Sequence, residues 1–234
     1  LAPLCPQIDP RRDQQRTAGV DVCLWPKDFP QTTPAQVVIE AFACELPASY
    51  LEAMYRCPAP PAWINLEYLS AEPWVEGCHA LASPHPILPL VKHFFFPGFG
   101  EGTGGLLREN GLLEKRDAFQ AALPASKSLE ISLFCYENAP IGALLQAWAQ
   151  SDQAIHCRVP PGRPLAAVKR HFDGDGPWQL GRLLVEPIPF LAQADYDRLL
   201  WSCDLNFVRG EDSLVRALWA GRPLVWQAYP QQEE

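Results

Sequence analysis

Arg209-Gly210-Glu211-Asp212-Ser213-Leu214-Val215-Arg216-Ala217-Leu218-Trp219-Ala220-Gly221-Arg222-Pro223 is the stretch on which the reading of the chain turns. The apolar run Leu205 to Val208 precedes it and is short enough for a buried strand. The stretch then opens a helix. Asp212 or Ser213 is placed to cap it, because their side-chain oxygens accept from the free N–H groups of a first turn. Leu214 and Leu218, with Ala217 and Ala220, put an apolar face at helical spacing. Gly221 ends the helix by tolerating the left-handed conformation of a C-terminal cap. A further strand, Leu224-Val225-Trp226, leads to Tyr229-Pro230-Gln231. Helix N–H groups that point out beyond a strand suit an anion. Arg209 adds a permanent charge matched to two phosphate oxygens. The same residues also fit a plain helix start, since Glu, Asp and Ser there commonly act as caps and dipole partners.

Outward from this stretch the second half alternates cleanly. Leu129 to Tyr136 reads as a strand, Ile141 to Ala149 as a helix, and Ala154 to Val159 as a strand. Leu165 to Phe172 reads as a helix, Leu180 to Ile188 as a strand, and Ala192 to Cys203 as a helix. Such alternation predicts a parallel sheet with right-handed crossovers. The first half repeats the rhythm less fully. Residues 1–19 are polar and irregular; Val20 to Trp25 and Val37 to Ala43 read as strands, Pro47 to Arg56 as a helix, and Ala62 to Leu66 as a strand. The aromatic strand Val91 to Pro97 is read as core, His93 included. Residues 110–128 read as the connection. The predicted fold class is therefore α/β, with a domain at 1–124 that is incomplete and a second at 125–234.

Composition narrows the class. Hydrophobic residues are 48% of the 234, enough to build real cores, and no apolar run of membrane-spanning length occurs. The net charge of −8 argues against nucleic acid and favours a basic protein partner. The eight cysteines form no C-x-x-C and no Cys–His zinc spacing, and Cys23, Cys44 and Cys135 lie in apolar runs, so buried free thiols in a reducing cytoplasm are expected. The 25 prolines cluster between periodic segments and read as rigid loops. Gly98 to Leu106 holds five glycines; it has neither the Walker pattern nor the strand-then-helix setting of a dinucleotide loop. It reads either as a flexible tip or as backbone that approaches a ligand.

Arg-Gly-Glu-Asp-Ser at 209–213, Ala-Gly-Arg-Pro-Leu-Val-Trp at 220–226 and Tyr-Pro-Gln at 229–231 resemble the donor-site signature of the EarP family, the elongation factor P arginine rhamnosyltransferases. Asn65-Leu66-Glu67-Tyr68-Leu69-Ser70-Ala71-Glu72 is similar to a run of the same family. The resemblance covers essentially the whole chain and implies a GT-B arrangement, two Rossmann-like domains facing a cleft. It implies an inverting transfer of rhamnose from TDP-β-L-rhamnose to an arginine of elongation factor P, with no metal and no other cofactor. Phe134, Tyr136 and Gln193 match positions that hold the thymidine end. Arg209, Glu211, Asp212 and Ser213 match contacts to diphosphate and sugar, with Glu211 the catalytic candidate, and Tyr229 and Gln231 complete the donor set. The family's general-base aspartate lies in an Asn-Phe-Gly-Asp loop expected upstream of Leu1. Its closing C-terminal helices are absent as well, so the chain reads as a fragment that binds donor without completing transfer. Within the first half, Glu67, Glu72 and Glu101 are the carboxylates available as bases. Another GT-B glycosyltransferase, a nucleotide-sugar epimerase and an inactive nucleotide- or protein-binding module are the alternatives.

Overall fold

The computed structural model describes residues 7–17 and 19–228. They form two compact units, Gln7–Arg108 and residues 109–228. Both are α/β layers built on parallel strands.

The first unit opens with a hairpin of β1 (Gln14–Thr17) and β2 (Val20–Cys23), in a segment read as partly irregular. Then come β3 (Val37–Ala41), α1 (Ala48–Tyr55), β4 (Ala62–Leu66), a 3-10 turn at Pro73–Gly77, β5 (Ala82–Pro84) and β6 (Val91–Phe95). The sheet order is β3-β4-β6-β5, with only β5 antiparallel. Strand alternation turns Val38 and Trp63 inward, where they meet Met54 of α1 and Leu90. Glu40 is also inside, 2% exposed, a position costly for a lone carboxylate. Lys92 Nζ at 2.6 Å and the Trp63 indole N–H at 3.2 Å satisfy it. The opposite face carries Val37, Ile39, Val91 and His93, all exposed, and Lys92, Phe94 and Phe95 are only half-buried, so the aromatic strand is not the core strand its sequence suggests.

The glycine run has a packing reason within this unit. A side chain at Gly100 or Gly102 would collide with Glu76 of the 3-10 turn, and one at Gly104 would enter the Phe95 ring. The loop is thus pressed onto its own unit by residues without a Cβ.

The second unit begins at Glu109, earlier than residue 125. Residues read as a connection hold α2 (Leu112–Ala121), which packs on its neighbours in this unit. Only Leu112 of α2 is buried, so it lacks the apolar stripe by which a helix is read from sequence. Besides Leu112 and Phe119, which pack on the core, it is held by side chains that bond helix-end carbonyls. Arg116 Nη1 donates to Trp219 O at 2.9 Å, and Gln120 Nε2 donates to Ala220 O at 3.1 Å. Those carbonyls have no partner within their own helix.

After α2 come β7 (Leu129–Leu133), α3 (Ile141–Ala149), β8 (Ile155–Val159), α4 (Arg163–Lys169), β9 (Trp178–Leu180) and β10 (Leu183–Pro187). The chain closes with α5 (Gln193–Ser202), β11 (Leu205–Arg209), α6 (Gly210–Ala220) and β12 (Leu224–Gln227). The single strand read at Leu180 to Ile188 is in fact part of the β9–β10 hairpin, turned at Gly181, whose φ is +56°. The sheet order is β12-β11-β7-β8-β10-β9, parallel except for the edge strand β9. Ile131, Leu133, Cys157, Val159, Leu183 and Val185 face α3 and α4. Val208 lies on the other side with Leu112, Leu200, Trp201, Ala217 and Ala220. Each large aliphatic side chain buried in this way contributes about 1.5–3 kcal/mol.

Candidate functional site: the crevice between β7 and β11

The strand order fixes where a ligand fits in the second unit. From β7 the chain moves to β8 and β10 on one side, then returns through α5 to place β11 on the other side of β7. The crossovers diverge there, and open α/β sheets bind ligands beyond the C-terminal ends of the two strands at such a switch. Phe134, Cys135 and Tyr136 leave the end of β7. Arg209 is the last residue of β11, and α6 starts at Gly210.

Arg209 is extended, with φ −137° and ψ 156°. Gly210 follows at φ +67°, in the left-handed region, and a Cβ there would lie 3.4 Å from the Tyr136 hydroxyl. The glycine lets the chain turn into α6 under the tyrosine. The Arg209 guanidinium sits 4.5 Å from the Phe134 ring centroid and 4.6 Å from that of Tyr136. Each such contact is worth about 0.5–2 kcal/mol. Its Nε is buried without a hydrogen-bond acceptor, and no carboxylate pairs with it among the described residues. Two aromatic faces therefore orient a cation whose donors are not spent within the fold.

The end of β12 is tied to the same place. The Tyr136 backbone N–H donates to Gln227 Oε1 at 2.8 Å, and Gln227 Nε2 donates to Asn138 Oδ1 at 2.9 Å. The Trp226 indole N–H donates to Gly210 O at 2.9 Å. Beside these contacts lies a cavity of about 290 Å³, walled by Leu133, Phe134, Ile141, Phe207, Val225 and Trp226. Its lining is apolar. Cys135 belongs to it as a neutral thiol, since burial pushes its pKa up against the pull of Arg209.

The first turn of α6 differs from its sequence reading. Neither Asp212 nor Ser213 sits in the cap position: the helix starts earlier, with Arg209 there, and the Arg209 side chain makes no capping bond. Ser213, 8% exposed, donates its hydroxyl proton to the Arg209 carbonyl instead. Glu211 and Asp212 lie in the first turn and are exposed. Gly221 ends the helix at φ +64°, as its sequence indicates.

Gln193 is the exposed first residue of α5. Tyr196, one turn on, shares its side of the helix. Tyr196 stands edge-on to Phe134, with centroids 6.1 Å apart. Next to it, Asp197 holds Arg216 of α6, with Oδ1 2.7 Å from Nε and a second bond to Nη2. Glu109 completes the cluster at 2.6 Å from Arg216 Nη1. Burial opposes the Arg216 charge, but its bonds to Asp197 and Glu109 outweigh that and raise its pKa. Tyr196, Asp197 and Arg216 were not singled out from sequence, whereas Cys135 is the buried thiol its apolar run indicates. Only Tyr196 left a signal, its position one helical turn after Gln193.

Tyr229 and Gln231 lie outside the described residues. The first-half carboxylates all belong to the other unit. Glu67 is half-buried and accepts from the Asn65 side-chain amide. Glu72 is exposed, and its backbone N–H is taken by Ser70 Oγ at 3.1 Å. Glu101 is exposed in the glycine loop. Among the described residues no three His, Cys, Asp or Glu side chains converge as a metal site, and no helix is long and apolar enough to cross a membrane.

Comparison with known proteins identifies the family. Residues 1–234 match the family described as elongation factor P (EF-P) rhamnosyltransferase EarP. The chain is 51% identical to the protein-arginine rhamnosyltransferase of Pseudomonas putida, with all of this chain and 66% of that protein covered. It is 47% identical to that of Pseudomonas aeruginosa, covering all of this chain and 67% of the relative. A solved structure described as the structural basis for EarP-mediated arginine glycosylation of translation elongation factor EF-P is 38% identical, with a TM-score of 0.55. That match covers 80% of this chain and 56% of the solved one. The chain thus spans about two thirds of the length of its curated relatives. With a family match over residues 1–234 and a relative 51% identical, the chain belongs to the EarP family of elongation factor P rhamnosyltransferases.

Proposed function

We propose that this protein acts in the transfer of rhamnose from TDP-β-L-rhamnose to an arginine side chain of elongation factor P, and that its second unit holds the donor. The observation that carries the reading is Arg209, clamped between Phe134 and Tyr136 at the start of α6 with its Nε uncommitted. A diphosphate oxygen at the α6 N-terminus meets the helix dipole and this guanidinium together. The apolar cavity beside Phe134 takes the base and sugar of the nucleoside. Gln193 at the head of α5 supplies a polar edge contact, and Tyr229 and Gln231 extend the donor set.

In this reaction an acceptor guanidinium nitrogen attacks the anomeric carbon of rhamnose. The bond to the donor phosphate oxygen breaks, and TDP leaves with the electron pair, inverting the carbon. Charge grows on the leaving phosphate, which in this reading Arg209 and the α6 N–H groups meet, so their contribution is largest in the transition state. The acceptor nitrogen must also lose a proton, which its very high pKa makes difficult without an adjacent carboxylate. Glu211, in the first turn of α6 beside the diphosphate position, is the catalytic candidate from this unit. No metal ion is needed for the charge, since the chain supplies its own cation. A cytoplasmic setting fits the described cysteines, all of which are free thiols, although Cys135, Cys157 and Cys203 are buried and Cys23 and Cys44, expected inside, are exposed.

Calorimetry tests the donor half of this reading. TDP is expected to bind more tightly than UDP. Equal or absent binding of both would remove it. A rhamnosylation assay by intact mass, with EF-P as acceptor, tests the transfer itself.

A further inference from the structure

Strands β7 and β12 are not neighbours, because β11 lies between them. One side chain of β12 nevertheless reaches past the end of β11 to the segment that leaves β7. The β7–β11 register runs to Leu133 opposite Phe207, and the Phe134 N–H adds a bond to Phe207 O at 3.0 Å. Beyond that point the Tyr136 N–H is held by Gln227 Oε1, at 2.8 Å. Gln227 Nε2 donates in turn to Asn138 Oδ1 at 2.9 Å. The turn between them closes through the Ala139 N–H and Tyr136 O, 3.2 Å apart. A single amide therefore brackets this turn at two points. Its orientation follows from chemistry: a backbone N–H only donates, so Oε1 must face Tyr136 and Nε2 must face Asn138.

What the bracket holds is the Arg209 clamp. Gln227 is the register partner of Arg209 across β11 and β12. Its neighbour Trp226 bonds Gly210 O at 2.9 Å, so two consecutive residues of β12 reach the head of α6 and the exit of β7. The Tyr136 ring stands 4.6 Å from the Arg209 guanidinium, and its hydroxyl would lie 3.4 Å from a Cβ at Gly210. Where that ring stands depends on where its backbone is held.

We propose that Gln227 is a positioning residue for donor recognition: by bracketing Tyr136 and Asn138 it keeps the Tyr136 ring against the Arg209 guanidinium, which presents Arg209 to the donor diphosphate. Long side chains such as arginine lose rotamer freedom when they are immobilised. A cation already held against a ring loses less of it on binding, which raises affinity without a new ligand contact. Asn138 acts one step further out, by fixing the Gln227 amide. This inference rests on the reading of Arg209 as the diphosphate ligand.

The test uses Gln227→Met, Asn138→Ala, Arg209→Lys, Arg209→Ala and the Gln227→Met/Arg209→Lys double variant, with TDP affinity measured by calorimetry. Gln227→Met keeps the side-chain length and removes both amide bonds. It should weaken TDP about three- to tenfold, the scale of one hydrogen bond. In the Arg209→Lys background the same change should cost less than about twofold, since lysine has no planar group for Tyr136 to hold. A merely structural role would cost the same in both backgrounds. Asn138 is exposed. Asn138→Ala should weaken TDP about twofold, and it decides the matter if Gln227→Met does not fold. Wild-type TDP affinity in folded Gln227→Met overturns the proposal, as does an equal loss in the Arg209→Lys background. If Arg209→Ala loses TDP while Gln227→Met does not, only the role of Gln227 falls. If Arg209→Ala binds TDP normally, the diphosphate site itself is refuted.

Discussion

The Arg209 guanidinium lies 4.5 Å from the centroid of Phe134, a residue that leaves the neighbouring strand. Tyr136 flanks it at a similar distance, 4.6 Å. A guanidinium held over two rings in this way is attracted by their π faces without using its N–H donors on them. A lysine has no planar guanidinium, so the arrangement is specific to arginine.

Arg209→Lys and Arg209→Ala should both weaken TDP binding, by about 1.5–3 kcal/mol, the range of a hydrogen bond to a charged group. The lysine variant keeps the charge but loses both the stacking and the paired donors. Calorimetry on the two variants checks this, and unchanged affinity in both would contradict it.

Phe134 is half-buried, in contrast to its neighbour Leu133, which is fully buried. Leu133→Ala should cost about 2–5 kcal/mol of stability, as buried leucines do. Phe134→Ala should cost less stability than that and more TDP affinity. Melting temperature and affinity measured side by side separate the two positions. A Phe134 variant that loses stability but binds TDP normally in its folded fraction would return the residue to the core.

The α5–α6 clamp should be sensitive to loss of one partner. Arg216→Ala strands the buried Asp197 carboxylate, 5% exposed, and is expected to cost about 3–5 kcal/mol. Urea denaturation measures it. A loss below 1 kcal/mol, the scale of an exposed pair, would show that the clamp carries little.

Acid should unfold the second unit through its paired carboxylates. Burial works to raise the Glu130 pKa, but the hydroxyls of Ser128 and Ser126 and the charges of Arg158 and His156 lower it below the usual 4.5. Glu109 is lowered in the same way by Arg216, also against burial. A carboxylate with a depressed folded pKa contributes stability that is complete above its unfolded pKa. That contribution is lost as pH falls through the folded value. Stability should therefore hold from neutral pH to about 5 and decline below about 4.5. Glu130→Gln should flatten that decline. An unchanged slope in denaturation series at several pH values would count against it.

How much of this was legible in the sequence depends on how local each feature is. The unit β11–α6–Gly221 could be read because an apolar run, a helical spacing and a left-handed glycine are all neighbours in the chain. Arg209 could be placed at the head of α6 for the same reason. Its clamp could not, since Phe134 and Tyr136 reach it only through strand pairing of β7 with β11. Helix α2 was hidden because polar residues hold it, bonding the carbonyls that end other helices. Ser213 misled as a cap because the helix begins at Gly210, a residue that sequence rules place outside helices. The glycine run invited a ligand reading, whereas Glu76 and Phe95 account for three of its members.

The measurement that bears most directly on the central claim is a crystal structure of the protein with TDP. The account predicts the nucleotide in the crevice between β7 and β11. Its diphosphate should lie within hydrogen-bonding distance of the Arg209 guanidinium and the first N–H groups of α6, with its nucleoside in the cavity beside Phe134. TDP bound elsewhere, or bound there with Arg209 making no contact to phosphate, would contradict it.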